Sequence, residues 1–315
     1  MNPAAGQRRR AWATTFFAVS LACGNGGGSP DGGAPDAGPP TRWAAFYGSA
    51  TQMGDLDRAA STFALLDVDA DPDAATFTAF QISALKAHGA RVLSYFNLGS
   101  CEHYRSYWNA SPAGFVSCGA NTRAQLGPYK GYPDETWMNP GDPDYQALMI
   151  DYVAPRLIAA GVDGFFFDNL EIVEHGPADL APCDAACAQG GLDLVYRLRA
   201  KYPDSFFLMQ NATSDLTRLG LTHGVAFPSL LDGISHEEVY APSFDALAEE
   251  QLLAWQALHL SPRGRPLWIS TEDYVGSCGN APAASQAFGR SRARGFIPYA
   301  NDASAGQKVL CYWSF

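Results

Sequence analysis

Basic residues are scarce in this chain. Its 315 residues carry 21 Lys and Arg against 32 Asp and Glu, a formal net charge of −11. Beyond residue 41 the balance is 18 to 30. Nucleic-acid binding rests on basic patches, so that class is excluded. A neutral or cationic ligand suits such a surface. Several chemical signatures are missing as well. No G-x-G-x-x-G follows the first apolar strand, which argues against a dinucleotide fold. No G-x-S-x-G elbow appears, which argues against an esterase. None of the six His sits in a Ser/His/Asp arrangement. There is no C-x₂-C spacing and no EF-hand loop, so neither a metal nor a cofactor is expected.

What is present begins with export. Arg8, Arg9 and Arg10 precede an apolar run from Ala11 to Ala22, too short to span a bilayer permanently but suited to a signal peptide over 1–22. The run ends in Ser20-Leu21-Ala22-Cys23, which resembles a lipoprotein processing site, with ordinary cleavage and free secretion as the alternative. Residues 23–41 are almost all Gly, Pro, Ala, Ser and Asp, the composition of a disordered tether. The expected location is therefore the outer membrane or cell surface through a lipid on Cys23, or the medium. Residues 42–315 are long enough for one large domain.

The seven Cys are an odd count. With Cys23 set aside, Cys101, Cys118, Cys183, Cys187, Cys278 and Cys311 can form three bridges in an oxidising compartment. Pairing between sequence neighbours is the expectation, since Cys101/Cys118 and Cys183/Cys187 each fall within one loop.

Eight short apolar runs recur through the body: 43–47, 63–68, 91–96, 162–167, 206–209, 233–239, 267–270 and 296–299. Several, such as Gly164-Phe165-Phe166-Phe167, are apolar on both faces, as in parallel strands covered on both sides. Helical patterns lie between them: one before Gly89, one over 145–160 closed by Gly161, and one over 193–200. The alternation predicts an α/β fold, a single (β/α)₈ TIM barrel over 42–315 and a monomer; an open doubly wound sheet is the alternative. Nearly every strand ends in Asp, Glu or Asn: Asp67/Asp69, Asn97, Asp168-Asn169, Asn211, Glu237-Glu238, Glu272-Asp273 and Asn301-Asp302. Such residues also cap helices. So many acids on one rim repel one another, however, and barrel enzymes keep their catalytic groups at that rim.

The segment Gly161-Val162-Asp163-Gly164-Phe165-Phe166-Phe167-Asp168-Asn169 resembles the strand motif of glycoside hydrolase family 114, the endo-α-1,4-polygalactosaminidase-like barrels. A second motif agrees, Gly99-Ser100-Cys101-Glu102-His103-Tyr104-Arg105, and the resemblance runs from about Trp43 to Phe315. It implies a catalytic Asp at the fourth strand, here Asp168, and a Glu after the sixth. His236-Glu237 favours Glu237 over Glu238, but the doublet leaves one residue of ambiguity, which decides the face a side chain takes. It further implies an endo-acting enzyme on an α-1,4-linked, galactosamine-containing polysaccharide, a cationic amino-sugar polymer being one form of it. A chitinase-type strand is excluded, because Phe166 replaces its middle acid and Glu171 arrives one place late.

The chemistry needs two carboxyl groups flanking the glycosidic bond. Asp168, at the end of a rigid apolar strand, is expected as nucleophile or base, and Glu237 as general acid. Retention or inversion follows their separation, about 5–5.5 Å or roughly 6.5–9.5 Å. Substrate contacts are expected from Tyr47, Tyr95, Tyr274 and Trp137 as stacking rings, from Asp67 and Glu272 toward an amine, and from Glu102, Arg105, Asn169 and Asn211. Glu102 and Arg105 equally suit an ion pair with each other, and Asp67 a helix cap. Two other functions stay open: a glycan-binding barrel with little or no catalysis, and a glycosidase of different sugar specificity.

Overall fold

The computed structural model describes residues 42–258, 266–302 and 307–315. The signal peptide, the tether, Cys23 and His259 lie outside the described residues. Eight parallel strands follow one another around the sheet: β1 Trp43–Phe46, β2 Leu65–Val68, β3 Arg91–Asn97, β4 Gly164–Asp168, β5 Phe206–Gln210, β6 Gly233–Glu237, β7 Trp268–Tyr274 and β8 Ile297–Asn301. Their order in space is their order in the chain, which makes a (β/α)₈ barrel and not a doubly wound sheet. The seam between β8 and β1 is bridged by the Trp43 indole N–H on the Ile297 carbonyl at 3.0 Å and by Asn301 Nδ2 on the Ala45 carbonyl at 3.2 Å.

The barrel interior is closed by Trp43, Phe166 and Tyr299, all buried, whereas Phe46 faces outward onto Phe77. Trp43 stacks on Phe166 at 6.0 Å and meets the Trp268 ring edge-on at 5.4 Å. On the outer side, Phe165, Phe167 and Phe207 pack with Phe96. Aromatic rings on both faces of β4 explain its unbroken apolar run. They also hold the strand's last residue, Asp168, in one place.

Several elements depart from expectation: the seventh strand, expected over 267–270, runs on to Tyr274, and two others differ for reasons visible in their packing and backbone. The helix expected over 193–200 runs from Ala185 to Lys201, capped by the Asp184 carboxylate on the Cys187 N–H. Gly190 and Gly191 sit inside it because a Cβ there would strike Gly141 and the Val173 side chain. Close packing, not a turn, requires them. The sixth strand stops at Glu237 instead of Val239, since Glu238 turns left-handed at φ 55°.

The segment between β3 and the next barrel helix carries a small antiparallel sheet of Ser100–Glu102, Glu135–Met138 and Gln125–Pro128. It lies over the barrel mouth, fastened by the Cys101–Cys118 disulfide. Cys183–Cys187 and Cys278–Cys311 complete the expected pairing. Gly99 lets this layer approach, because a Cβ there would run into the Asn169 carbonyl. Among the described residues no helix is long and apolar enough to cross a membrane.

Candidate active site

A cavity of about 580 Å³ opens at the C-terminal ends of the strands. Asp168 at the end of β4 and Glu237 at the end of β6 both line it. Glu238 is exposed and outside the lining, because the left-handed turn at that residue swings it off the rim. The geometry therefore separates the doublet: Glu237 faces the cavity.

Glu237 is held on both oxygens. Asn211 Nδ2 donates to Oε2 at 2.8 Å, and the Tyr274 hydroxyl donates to Oε1. Asp168 lines the cavity beside Asn169 and Tyr95. Burial, and then the negative charge of Glu237, push the Asp168 carboxyl up to about 8. The two carboxyl groups thus interact across the cavity.

Below this pair lies a buried layer. Asp67 and Glu272 are fully buried and do not line the cavity. Asp67 caps no helix; its Oδ2 accepts from the Tyr47 hydroxyl at 2.6 Å. Glu272 accepts from Asn301 Nδ2 at 2.9 Å and Gln307 Nε2 at 3.4 Å. One oxygen of each acid has no partner among the described residues. Burial raises both acids, Glu272 to about 8 with the Glu237 charge as its second cause. They touch the site through Tyr47 and the Gln307–Tyr274 contact.

Of the other expected contacts, Tyr47, Tyr95, Glu102, Asn169 and Asn211 line the cavity. Arg105 does not. It is buried between Asp69, at 3.0 Å, and Glu102, at 3.3 Å, so the ion-pair alternative describes it. Tyr274 sits under Glu237 and reaches the site by its hydroxyl. Trp137 is corrected as a direct contact: it is buried in the added sheet, stacked 4.0 Å behind Tyr129. Its ring stiffens Tyr129, which does line the cavity.

Sequence reading passed over Tyr104, Tyr129, Tyr132 and Glu135, all from the segment between β3 and β4. Glu135 accepts from Ser100 Oγ at 2.6 Å, and burial, then the Glu102 charge, raise it to about 7. The signal available was the clustering of Tyr129, Tyr132 and Glu135 around Gly131 and Pro133, a turn carrying aromatic and acidic residues. Asp69, Asp73, Gln210 and Gln307 were also missed as lining residues. Asp69 stands two residues past Asp67, the spacing of residues on one face.

A parallel barrel whose mouth holds two carboxyl groups in a cleft of tyrosines and acids belongs to the class of barrel glycosidases. The model of glycoside-hydrolase family GH114 matches residues 29–186, half of the chain, and the chain belongs to that family. It is a glycoside hydrolase. A protein of Deinococcus radiodurans described as uncharacterized is 27% identical over 273 residues, covering 79% of this chain and 76% of its own. Among solved structures, the glycoside hydrolase domain of PelA from Pseudomonas aeruginosa superposes with a TM-score of 0.61 at 16% identity, over 86% of this chain and 100% of that one. Ega3 of Aspergillus fumigatus, in complex with galactosamine, superposes with a TM-score of 0.58 at 14% identity, over 88% and 95%.

Proposed function

We propose that this chain is an exported, endo-acting glycosidase that cleaves an α-1,4-linked, galactosamine-containing polysaccharide, acting as a monomer, with Asp168 and Glu237 as its carboxyl pair. The observation that carries this reading is the charge of the cleft. Asp69, Asp73, Glu102, Glu135, Asp168 and Glu237 line it, and Lys308 is the cation among the described lining residues; Arg105 pairs with Asp69 and Glu102 and Arg156 with Asp73, which leaves Glu135, Asp168 and Glu237 without a cationic partner among the described residues. A deacetylated amino sugar brings the opposite charge. Tyr47, Tyr95, Tyr104, Tyr129 and Tyr132 offer ring faces to successive sugars along the cleft. The linkage follows the resemblance to the endo-α-1,4-polygalactosaminidase-like barrels, and galactosamine is the ligand named for Ega3.

In this reading Asp168 attacks the anomeric carbon or activates water, and Glu237 gives its proton to the leaving oxygen. Burial and the Glu237 charge raise the Asp168 carboxyl, and a cationic sugar favours its ionised form. The three disulfides support an oxidising destination. A signal peptide over 1–22 supplies the route, with a lipid on Cys23 as the proposed anchor.

The test is to incubate the purified protein with deacetylated and acetylated α-1,4-galactosamine polymers and weigh the soluble products by mass spectrometry. Oligosaccharides from the wild type and none from Asp168→Asn are expected. No product from either polymer would remove the substrate assignment and bring forward another glycan or a binding role.

A further inference from the structure

Glu237 carries a tyrosine hydroxyl, and that hydroxyl is gripped by a side-chain amide. Gln307 Nε2 donates to the Tyr274 oxygen at 2.9 Å, and the Tyr274 hydroxyl donates to Glu237. A phenol has one hydrogen to give. Once an amide N–H occupies a lone pair of its oxygen, that hydrogen must point elsewhere, and here the carboxylate is what it meets.

Gln307 is itself fixed. Its side chain is buried, its amide also reaches Glu272 Oε1 at 3.4 Å, and its backbone carbonyl accepts from the Tyr47 N–H at 2.9 Å. It lies past the end of β8, yet it lines the same cavity as Glu237. We propose that Gln307 is a positioning residue that aims the Tyr274 hydroxyl at Glu237 and so sets the pH range over which Glu237 works. The inference rests on the glycosidase reading above.

A donor held on a carboxylate favours its charged form. Freeing the Tyr274 hydroxyl therefore moves the Glu237 ionisation to higher pH. The experiment measures kcat against pH for full-length protein on deacetylated galactosamine polymer, with Glu237→Gln identifying the limb that belongs to Glu237. In Gln307→Met that limb is expected to move to higher pH and kcat to fall roughly tenfold, with KM within about twofold. Tyr274→Phe is expected to move the same limb, and the double variant to match Tyr274→Phe alone, since Gln307 acts through that hydroxyl. Should Gln307→Met not fold, Gln307→Glu serves: its carboxylate draws the Tyr274 hydrogen away and moves the limb the same way. An unmoved limb, or effects that add, would overturn the proposal while wild-type cleavage stands. Absence of wild-type cleavage would instead remove the glycosidase reading on which it rests.

Discussion

Asn211 and Glu237 exchange two hydrogen bonds: the Asn211 amide donates to Glu237 Oε2 at 2.8 Å, and the Glu237 backbone N–H donates to Asn211 Oδ1 at 3.1 Å. The exchange settles which end of the amide faces which way, and it locks the carboxyl plane at the cavity wall. Asn211 holds a left-handed backbone at φ 62° to make it, a conformation Asn tolerates better than most residues. Replacing Asn211 by Ala leaves Glu237 free to turn. Loss of orientation at a reacting group costs on the order of 10²-fold. The expected outcome is a fall of that size in kcat, with thermal stability reduced by a few degrees at most. A kcat within twofold of wild type would show that Asn211 does not orient the acid.

Glu135 tests how the cleft recognises charge. It lies in the added sheet, far in sequence from both catalytic candidates, and its negative form faces the cavity. Glu135→Gln is expected to raise KM for deacetylated polymer several-fold and to leave KM for acetylated polymer nearly unchanged. Rising salt should erase the difference, because screening weakens the charge contact. Equal effects on both polymers would mean that Glu135 shapes the cleft without reading the amine.

The added sheet depends on a covalent tie. Cys101–Cys118 closes a loop with a sequence separation of 17. Such a loop contributes about 3 kcal/mol by restricting the unfolded chain. Changing both cysteines to Ser should lower the melting temperature and raise KM, since Tyr129, Tyr132 and Glu135 ride on the segment it fastens. Kinetics with KM unaltered in the Ser variant would separate the disulfide from the substrate cleft.

Glu272 gives the fold a pH dependence. Its folded value, about 8, lies above its unfolded one, so its contribution is fully present below the unfolded value and is lost as pH rises through 8. Between about pH 5 and 9 the wild type should lose melting temperature, and Glu272→Gln should lose less over the same range. Differential scanning fluorimetry at pH 5, 7 and 9 measures this. Parallel curves for the two proteins would show that Glu272 is not the group responsible.

The barrel and half of the site were legible in the sequence because strands and their polar ends are local features. Gly164-Phe165-Phe166-Phe167-Asp168 announces a buried strand and the acid it carries. The Glu237/Glu238 doublet was not separable, since the choice depends on a left-handed turn at Glu238 that no side chain there demands. Trp137 read as a loop ring open to sugar, whereas it pairs in a strand and backs Tyr129. Asp67 and Glu272 read as amine ligands because strand-end acids point to the mouth. Their burial beneath Tyr47 and Gln307 is set by how deep each strand sits in the barrel, a long-range property. Glu135 and the tyrosines near it became visible only once the added sheet was folded over the mouth.

The most direct test measures the rate of reducing-end release from galactosamine polymer by wild type, Asp168→Asn, Glu237→Gln and Glu238→Gln under one condition. The account predicts losses of at least about 10²-fold for Asp168→Asn and for Glu237→Gln, the scale of positioned acid and base groups, with Glu238→Gln within twofold of wild type. Activity retained in Asp168→Asn, or lost in Glu238→Gln but not in Glu237→Gln, would contradict the assignment of the carboxyl pair.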